Sequence, residues 1–257
     1  MSSPTPADLF TLRGRRALVT GAGRGIGRAI ALGLAAAGAQ VALVARSSTE
    51  LEEVAGQAGE GTVVHPADLS DTASLPGLVR SVTEELGGVV DVVVHAAGVQ
   101  ARGEATELSD ADFERVLAVN LTAPWRLRTE VARTQLAAGS TGSHVMVASM
   151  LSVTSRPAVS PYVASKTGLL GTVRALSTEW APHGIRVNAL APGYVATALT
   201  VPLFEQPEWR ERILGRVPLG RFGTPEDLVG PALFLASGAS SYVTGQLITV
   251  DGGWTSS

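Results

Sequence analysis

Short apolar runs alternate along this chain with longer amphipathic stretches. The runs carry almost no polar positions, which is typical of strands that are buried on both faces. Strands are therefore predicted at 17–19, 41–44, 62–64, 89–94, 144–148, 185–190 and 247–250, and helices at 27–37, 72–86, 111–138 and 161–181. The alternation predicts an α/β fold in a single domain over residues 1–257, with a doubly wound parallel seven-stranded sheet of the Rossmann type.

Two of the helix starts carry capping signals. Ser160 and Thr224 each place a hydroxyl directly before a proline, and proline is favoured at the first helical position. In the first of these helices Tyr162 and Lys166 are four residues apart, so their side chains project from one face about a turn apart. The two side chains can therefore serve one site.

Composition narrows the class of ligand. The net charge is −3 and the arginines are scattered along the chain, which argues against a nucleic-acid partner. There is no cysteine, and the four histidines lack metal-ligand spacing, so no metal site is predicted. The sequence shows neither a signal peptide nor an apolar run of membrane-spanning length. We expect a cytoplasmic protein that acts on a small molecule and has no membrane partner.

The single lysine stands out among the basic residues. Of the twenty lysines and arginines, nineteen are arginine and one is Lys166. Lysine is a compact charge whose pKa responds to its surroundings, whereas arginine stays charged. Its position four residues after Tyr162 favours a chemical role over surface charge.

A glycine-rich turn directly follows the first predicted strand. Residues 20–27 read Thr-Gly-Ala-Gly-Arg-Gly-Ile-Gly and lead into an amphipathic helix, a context in which glycines let a pyrophosphate approach a helix N-terminus. After the second strand, Arg46 and Ser47 stand where a carboxylate would bind the 2′-hydroxyl of an NAD ribose. A guanidinium binds phosphate through paired bonds, and Arg24 can support it. NADP(H) is therefore predicted, with NAD(H) possible; both arginines can also be solvated loop charges.

Three motifs occur in a fixed order: a turn of the form T-G-x-x-x-G-x-G, Ser149 after a strand, and Tyr162 four residues before Lys166. Together they resemble the short-chain dehydrogenase/reductase family. The resemblance covers nearly the whole chain. Further matching positions are Asp68, His95-Ala96-Ala97-Gly98, Asn120, Pro192-Gly193 and Thr197.

The resemblance implies an NAD(P)-dependent oxidoreductase that transfers a hydride between nicotinamide and a secondary alcohol or ketone. It makes Tyr162 the general acid/base and Ser149 the residue that orients the reacting oxygen. Lys166 would lower the tyrosine pKa and hold the nicotinamide ribose, and Asn120 would retain a relay water. Asp68 would accept from the adenine edge, or serve as a loop or helix-cap aspartate. The cofactor-binding residues implied are Gly21, Gly23, Arg24, Gly25, Ile26, Gly27, Arg46, Ser47, Asp68, Leu69, Ala97, Gly98, Tyr162, Lys166, Pro192, Gly193, Val195 and Thr197.

Elementary chemistry supports the catalytic roles. A phenol with a pKa near 10 is a poor base near neutrality, and each unit of depression requires about 1.36 kcal/mol. The ammonium of Lys166 and an oxidised nicotinamide ring would each lower the pKa of Tyr162. Ser149 follows the fifth strand, at the edge where ligands bind in open α/β sheets.

One loop departs from the family pattern. His95 and Ala96 stand after the fourth strand, where the family usually has two asparagines. We expect His95 to be a structural hydrogen-bonding residue rather than a catalytic base, since the sequence shows no carboxylate partner for it. The segment 198–222 is expected to be a mobile substrate lid.

The substrate is less constrained. The runs at 148–152, 191–194, 221–223 and 250–254 look like the branch of the family that oxidises gluconate or deoxy-ketogluconate at C5, which points to sugar acids or polyols. Arg102 and Arg156 fall in loops near the carboxyl ends of strands, where either can pair with a carboxylate or be a surface charge. Met150 and Tyr194 complete the candidate substrate set.

Three alternatives remain. A 3-oxoacyl carrier-protein reductase shares the motifs and would dock an acidic carrier on Arg126, Arg128 and Arg133, unless these form a solvated helix face. A broad ketone reductase shares the same core. A non-catalytic NADP(H)-sensing regulator would keep the fold without turnover, although the full catalytic set argues against it. The resemblance also implies a homotetramer or homodimer.

Overall fold

The computed structural model describes residues 5–198, 200–201 and 205–256. Within this part of the chain seven parallel strands form one sheet. Their bounds are β1 (Arg16–Thr20), β2 (Gln40–Ala45), β3 (Thr62–Pro66), β4 (Val92–His95), β5 (Gly142–Val147), β6 (Ile185–Pro192) and β7 (Leu247–Val250). The strand order β3-β2-β1-β4-β5-β6-β7 confirms the doubly wound parallel sheet.

The predicted helices are present, and the structure contains further helices that were not predicted. The bounds are α1 (Pro6–Phe10), α2 (Gly25–Ala36), α3 (Ser48–Ala58), α4 (Leu75–Glu85), α5 (Asp110–Leu117), α6 (Ala123–Ala137), α7 (Ser160–Trp180), α8 (Pro207–Leu214) and α9 (Val229–Ala236). The single helix predicted at 111–138 is in fact two, because a π-helical turn at Ala118–Thr122 separates α5 from α6. No helix in the described residues is long and apolar enough to span a bilayer.

Apolar side chains on both faces of the sheet form the core. One face packs against α2 and α9, through residues such as Val19, Ile30 and Leu235. The other packs against α4, α6 and α7, through residues such as Leu127 and Val173. The edge strands β3 and β7 are mostly only half-buried, so the expectation that all seven strands are buried on both faces is wrong at the edges, where one flank lacks a neighbouring strand.

Of the two predicted caps, one is correct. Thr224 precedes a short 3-10 turn at Pro225–Leu228, and its backbone N–H donates to Asp227 Oδ2 at 2.7 Å in a capping box. Ser160 does not cap α7. The helix begins at Ser160 itself, Val159 occupies the capping position, and no side chain bonds there. A proline at the second helical position is compatible with this shift, since its missing N–H needs no partner in the first turn.

Candidate active site

The glycine turn between β1 and α2 leaves no room for side chains. Gly21 has φ +68°, and a Cβ on it would lie 2.7 Å from the backbone nitrogen of Ala97. A Cβ on Gly27 would lie 2.2 Å from the carbonyl oxygen of Gly21. The turn therefore packs directly against the loop after β4, at the switch point of the sheet where β1 and β4 are neighbours but not consecutive.

A cleft of about 540 Å³ opens above this turn. Every residue implied by the family resemblance to bind cofactor lines it, as does Ser149. Thr197 closes one side, since its Cγ2 lies 3.5 Å from the point where a Cβ of Gly25 would stand. On the far side Gly193 is held against the Cα of Asp251, where a Cβ would come within 2.7 Å. These close approaches create the kind of cradle that fits the backbone-facing pyrophosphate of a dinucleotide.

Charged groups gather at the end of the cleft where α2 begins and β2 ends. Arg24 and Arg46 are both exposed and line it. Ser47 caps α3, because its Oγ accepts from the backbone N–H of Glu50 at 3.2 Å. The sequence gave no reason to single out Glu50, yet its carboxylate faces the glycine turn, 2.8 Å from the Cβ point of Gly23. Two guanidinium groups and one carboxylate therefore surround this part of the cleft.

Asp68 lies in a local turn at the edge of the cleft. It lines the cleft, and its Oδ1 also accepts from the backbone N–H of Ser70 at 2.9 Å and from the Ser70 hydroxyl at 2.8 Å. These two hydrogen bonds lower the pKa of the carboxyl, with a smaller contribution from the charge of Arg46. The local turn fixes the carboxylate in its ionised form beside the cleft.

Ser149 and Tyr162 meet where β5 ends. Ser149 is 7% exposed, and its Oγ accepts from the backbone N–H of Leu151 at 3.1 Å, which fixes its rotamer. The Ser149 side chain also interacts with that of Tyr162 and lowers its pKa. Burial raises the pKa of Tyr162 above 10, while the bond with Ser149 and the charge of Arg156 oppose that rise. The expected net depression of the tyrosine pKa is therefore wrong for the protein alone, since desolvation outweighs the opposing interactions.

Lys166 lies one turn further along α7 and is 4% exposed. Its Nζ donates to the carbonyl oxygen of Val147 at 2.7 Å and lies 5.6 Å from the centre of the Tyr162 ring. Burial lowers the pKa of Lys166 to about 8. The ammonium is thus poised close to its neutral form near physiological pH, a state that an arginine would not reach.

The π-helical turn explains how a buried amide is satisfied inside a helix. Asn120 is fully buried, and its Oδ1 accepts from the backbone N–H of Val99 at 2.9 Å. Its Nδ2 donates to Val99 O at 2.9 Å and to Ser165 Oγ at 3.0 Å. The Ser165 hydroxyl donates in turn to the Tyr162 carbonyl at 2.7 Å. Asn120 therefore ties the loop after β4 to α7, and Gly98 brings that loop close to both Asn120 and Lys166.

His95 does not show the hydrogen bonding expected of it. It is 2% exposed at the end of β4, and its Nε2 has no hydrogen-bond partner among the described residues. Burial lowers its pKa well below 6.5, with further contributions from Arg128, His144 and Lys166. The ring is therefore neutral, and basic groups lie on several sides of it.

The predicted substrate residues gather beside Tyr162. Burial lowers the pKa of Arg102, the charge of Arg156 lowers it further, and Tyr194 raises it. Nε of Arg156 is buried without a hydrogen-bond partner among the described residues. Met150 and Tyr194 belong to one apolar cluster that Tyr162 also contacts. Electrostatic effects therefore connect Arg156 with Tyr162, and Arg102 with Arg156 and Tyr194.

Aromatic rings connect this region to the predicted lid. Within 198–222, residues 199 and 202–204 lie outside the described residues, and α8 lies in the described part. Trp209 of α8 meets Tyr194 edge to face at 5.3 Å between ring centres, and Trp254 meets Tyr194 at 5.9 Å. The segment predicted to be a lid therefore packs through Trp209 against Tyr194.

The arginines proposed to dock a carrier protein do not form one surface. Arg128 is fully buried, so it cannot reach a partner. Arg133 is paired with Glu130 one turn away, and Arg126 is exposed and donates to the Thr72 carbonyl at 3.2 Å. The reading of these three residues as a solvated face or docking face is thus wrong for Arg128.

Known proteins match the chain over most of its length. Residues 21–255 fit the family model described as enoyl-(acyl carrier protein) reductase. A 2-dehydro-3-deoxy-D-gluconate 5-dehydrogenase of Dickeya dadantii (strain 3937) is 40% identical over 96% of this chain and 98% of that protein. A crystal structure from Beutenbergia cavernae, described as an NAD(P)-dependent gluconate 5-dehydrogenase with bound NADP at low occupancy, is 46% identical with a TM-score of 0.91, over 97% of this chain and 100% of that one. A gluconate 5-dehydrogenase of Burkholderia cenocepacia J2315, solved with NADP and tartrate, is 35% identical with a TM-score of 0.92, over 98% and 100%.

Proposed function

This chain belongs to the short-chain dehydrogenase/reductase family, and we propose that it is the NADP-dependent oxidoreductase of a sugar acid, acting on a secondary hydroxyl or the corresponding ketone. The relatives named for gluconate and 2-dehydro-3-deoxy-D-gluconate support a substrate of that chemical class. The family membership alone leaves ketones, polyols and sugar acids open, so the choice among them depends on the site.

The arginine pair beside Tyr162 carries the proposal. A sugar acid presents a carboxylate at one end and hydroxyl groups along its chain, and guanidinium groups bind carboxylates through paired charge-assisted bonds. The charge of Arg156 lowers the pKa of Tyr162. The pKa of Arg102 is lowered by Arg156 and raised by Tyr194. A carboxylate held by the pair would place the rest of the substrate against the Tyr162 hydroxyl. A polyol carries no carboxylate that either guanidinium group could bind.

The residues of the cleft divide the chemistry among them. NADP⁺ would be held by the glycine turn, Arg46 and Lys166, and when bound it supplies the hydride acceptor. Tyr162, as the phenolate, takes the proton from the substrate hydroxyl as the carbon–hydrogen bond breaks, and as the phenol it returns that proton during ketone reduction. Ser149 donates a hydrogen bond to the same oxygen. Lys166 stabilises the phenolate by its charge, and the pKa of Tyr162, raised by burial, makes that stabilisation necessary.

A matrix of substrates and cofactors tests the proposal. The purified protein is assayed with D-gluconate, 2-dehydro-3-deoxy-D-gluconate, a six-carbon polyol and an acetoacetyl thioester, each with NADP(H) and NAD(H). We expect the highest kcat/KM for a sugar acid with NADP⁺. Thioester reduction without sugar-acid activity would contradict the proposal and favour a 3-oxoacyl carrier-protein reductase. Tight cofactor binding without any turnover would favour a non-catalytic NADP(H)-sensing regulator.

Variants of Arg156 and of Arg46 test substrate recognition and cofactor recognition separately. Arg156→Met should raise KM for the sugar acid by about 10- to 100-fold, the effect of losing a charged hydrogen bond, and change the polyol KM little. Arg80→Met, which alters an exposed arginine on α4, is the matched control and should change neither. An equal rise in KM for both substrates would show that Arg156 does not recognise a carboxylate.

Arg46→Ala should weaken NADP(H) binding by about 10-fold while leaving NAD(H) binding nearly unchanged, because only NADP(H) carries the 2′-phosphate. Glu50→Gln is the companion variant: it removes a negative charge from the same end of the cleft, so NADP(H) should bind more tightly. Unchanged NADP(H) affinity in Arg46→Ala would refute the assignment of Arg46 to the phosphate.

The assembly is also proposed to be a homodimer or homotetramer. Large apolar side chains stand half-exposed on α5 and α6, among them Phe113 and Trp125. Such groups on neighbouring helices are typical of a surface that a second subunit covers. Light scattering on the purified protein tests this, and a monomer at micromolar concentration would refute it. The cytoplasmic location stays a prediction.

A further inference from the structure

Arg128 is the most unusual side chain of the core. It lies on the inner face of α6, is 0% exposed, and none of its three guanidinium nitrogens has a hydrogen-bond partner among the described residues. Its nearest ring contact is with Trp125, whose centre lies 5.6 Å from the guanidinium carbon. A buried cation is costly unless it is paired or hydrogen-bonded, so this position calls for a group that balances the charge.

The groups around Arg128 are basic as well. His95 and His144 point from β4 and β5 toward the same side of the sheet, because Val93 pairs with His144 and His95 follows Val93 by two residues. His144 Nε2 lies 3.0 Å from Gln135 Oε1, and the Gln135 amide donates to Val90 O at 2.8 Å. The histidine nitrogen must then carry the hydrogen, and its other nitrogen is buried without a partner.

Among Arg128, His95 and His144, only Arg128 is charged at neutral pH. The pKa of His144 is lowered to about 3 by burial and by Arg128, so its ring is neutral, and the same holds for His95. The pKa of Arg128 is lowered by burial to about 10, which leaves it charged at neutral pH. The charge of Lys166 also lowers the pKa of His95. No carboxylate is among the causes that shift the pKa of His95, Arg128 or His144.

We propose that Arg128 and His95 bind a small monovalent anion of halide size, with chloride as its physiological form. Arg128 supplies the charge and up to five N–H donors, and the neutral His95 ring adds one more through its free Nε2. Both side chains are almost completely buried, which excludes a metabolite-sized ligand and makes the ion part of the folded interior. The site is separate from the proposed substrate arginines and does not depend on the proposed activity.

Thermal unfolding at constant ionic strength tests the proposal. Chloride is exchanged for methanesulfonate, a bulkier anion of equal charge, in protein that is refolded in each salt. A ligand that binds only the native state raises the unfolding midpoint with its concentration, and we expect chloride to raise it by about 5 °C between 1 and 100 mM. Equal midpoints in the two salts would overturn the proposal.

Variants and diffraction identify the site. Arg128→Met should abolish the chloride dependence, while Arg126→Met, an exposed arginine on the same helix, should preserve it. Should Arg128→Met fail to fold, wild-type crystals grown in bromide decide the question. An anomalous peak in contact with the Arg128 guanidinium supports the proposal, and either ordered water alone at that position or a chloride response that survives in Arg128→Met overturns it.

Discussion

Replacing Lys166 by arginine keeps the positive charge but changes the shape of the side chain. The substitution therefore separates the electrostatic effect on Tyr162 from the hydrogen bonds that a compact ammonium group makes. The ammonium lies 5.6 Å from the centre of the Tyr162 ring. With an effective dielectric constant of about 20, a unit charge about 6 Å from a phenolate oxygen would stabilise it by about 3 kcal/mol, or about two pKa units. Full loss of the charge would thus cost about 100-fold in rate.

The guanidinium cannot occupy the same place. Nζ of Lys166 donates to Val147 O at 2.7 Å and lies 3.7 Å from the Cβ point of Gly98, so the pocket fits a compact head group. A displacement of about 2 Å would reduce the electrostatic stabilisation by about 1 kcal/mol. Loss of the charged hydrogen bonds proposed to the nicotinamide ribose would add about 1.5–3 kcal/mol. Lys166→Arg should therefore lower kcat by about 100-fold.

Steady-state kinetics with the best sugar acid, together with NADP(H) binding followed by nicotinamide fluorescence, measures both contributions. Circular dichroism and the unfolding midpoint establish that the variant folds. A kcat close to that of the wild type would refute the reasoning, because the charge alone would then suffice and the single lysine of the chain would be an accident of composition. Loss of folding would leave the comparison to Lys166→Met, which removes the charge with less bulk.

Two further predictions concern stability. Lys166→Met should lower kcat by at least about 1000-fold, because both the charge and the proposed bonds to the ribose are lost. It should nevertheless raise the unfolding free energy at pH 7 by about 2 kcal/mol. The pKa of Lys166 falls from 10.5 to about 8 on folding, which costs about 3 kcal/mol, and loss of the hydrogen bond to Val147 O offsets about 1 kcal/mol of that gain. Between pH 8 and 10.5 the unfolded chain binds more protons than the folded one, so wild-type stability rises there, and urea titrations should show the advantage of the variant shrinking. Asp227→Asn should cost about 1 kcal/mol, because the carboxylate pairs with both terminal nitrogens of Arg221 and caps the turn at Thr224. The pKa of Asp227 is lowered to about 2 in the folded protein. Its contribution to the free energy of unfolding is therefore complete above pH 3.8 and is lost as the pH falls toward 2. Equal stability of the wild type and the variant at pH 7 would contradict this prediction.

The sheet and the cofactor cleft were predictable because their signals are local. Apolar runs marked every strand, and the glycine turn had to lie between β1 and α2 for its conformation to be useful. Helix boundaries were less accessible. The π-helical turn around Asn120 depends on contacts with Val99 and Ser165, which are distant in sequence, and nothing in the run 116–121 announces it.

The groups missed by the sequence reasoning are those whose role depends on burial. Arg128 reads as one more charged position of an amphipathic helix, yet it points inward beside the two histidines. Glu50 reads as a surface carboxylate of α3, yet it faces the glycine turn across the cleft. The local sequence pattern predicts which side of a helix is apolar on average. Whether an individual charged side chain is buried depends on the element that packs against the helix.

In the proposed function, Arg156 would connect substrate recognition with the acidity of Tyr162. Its charge opposes the effect of burial on the pKa of Tyr162, so the phenolate depends on a guanidinium that is also proposed to bind the substrate carboxylate. A bound carboxylate would neutralise that contribution just when the base is needed. The remaining stabilisation must then come from Lys166, from the hydrogen bond of Ser149 and from the charge of the oxidised cofactor. An acidic substrate is therefore compatible with this tyrosine only if the lysine keeps its place, whereas a neutral polyol would leave Arg156 free to assist.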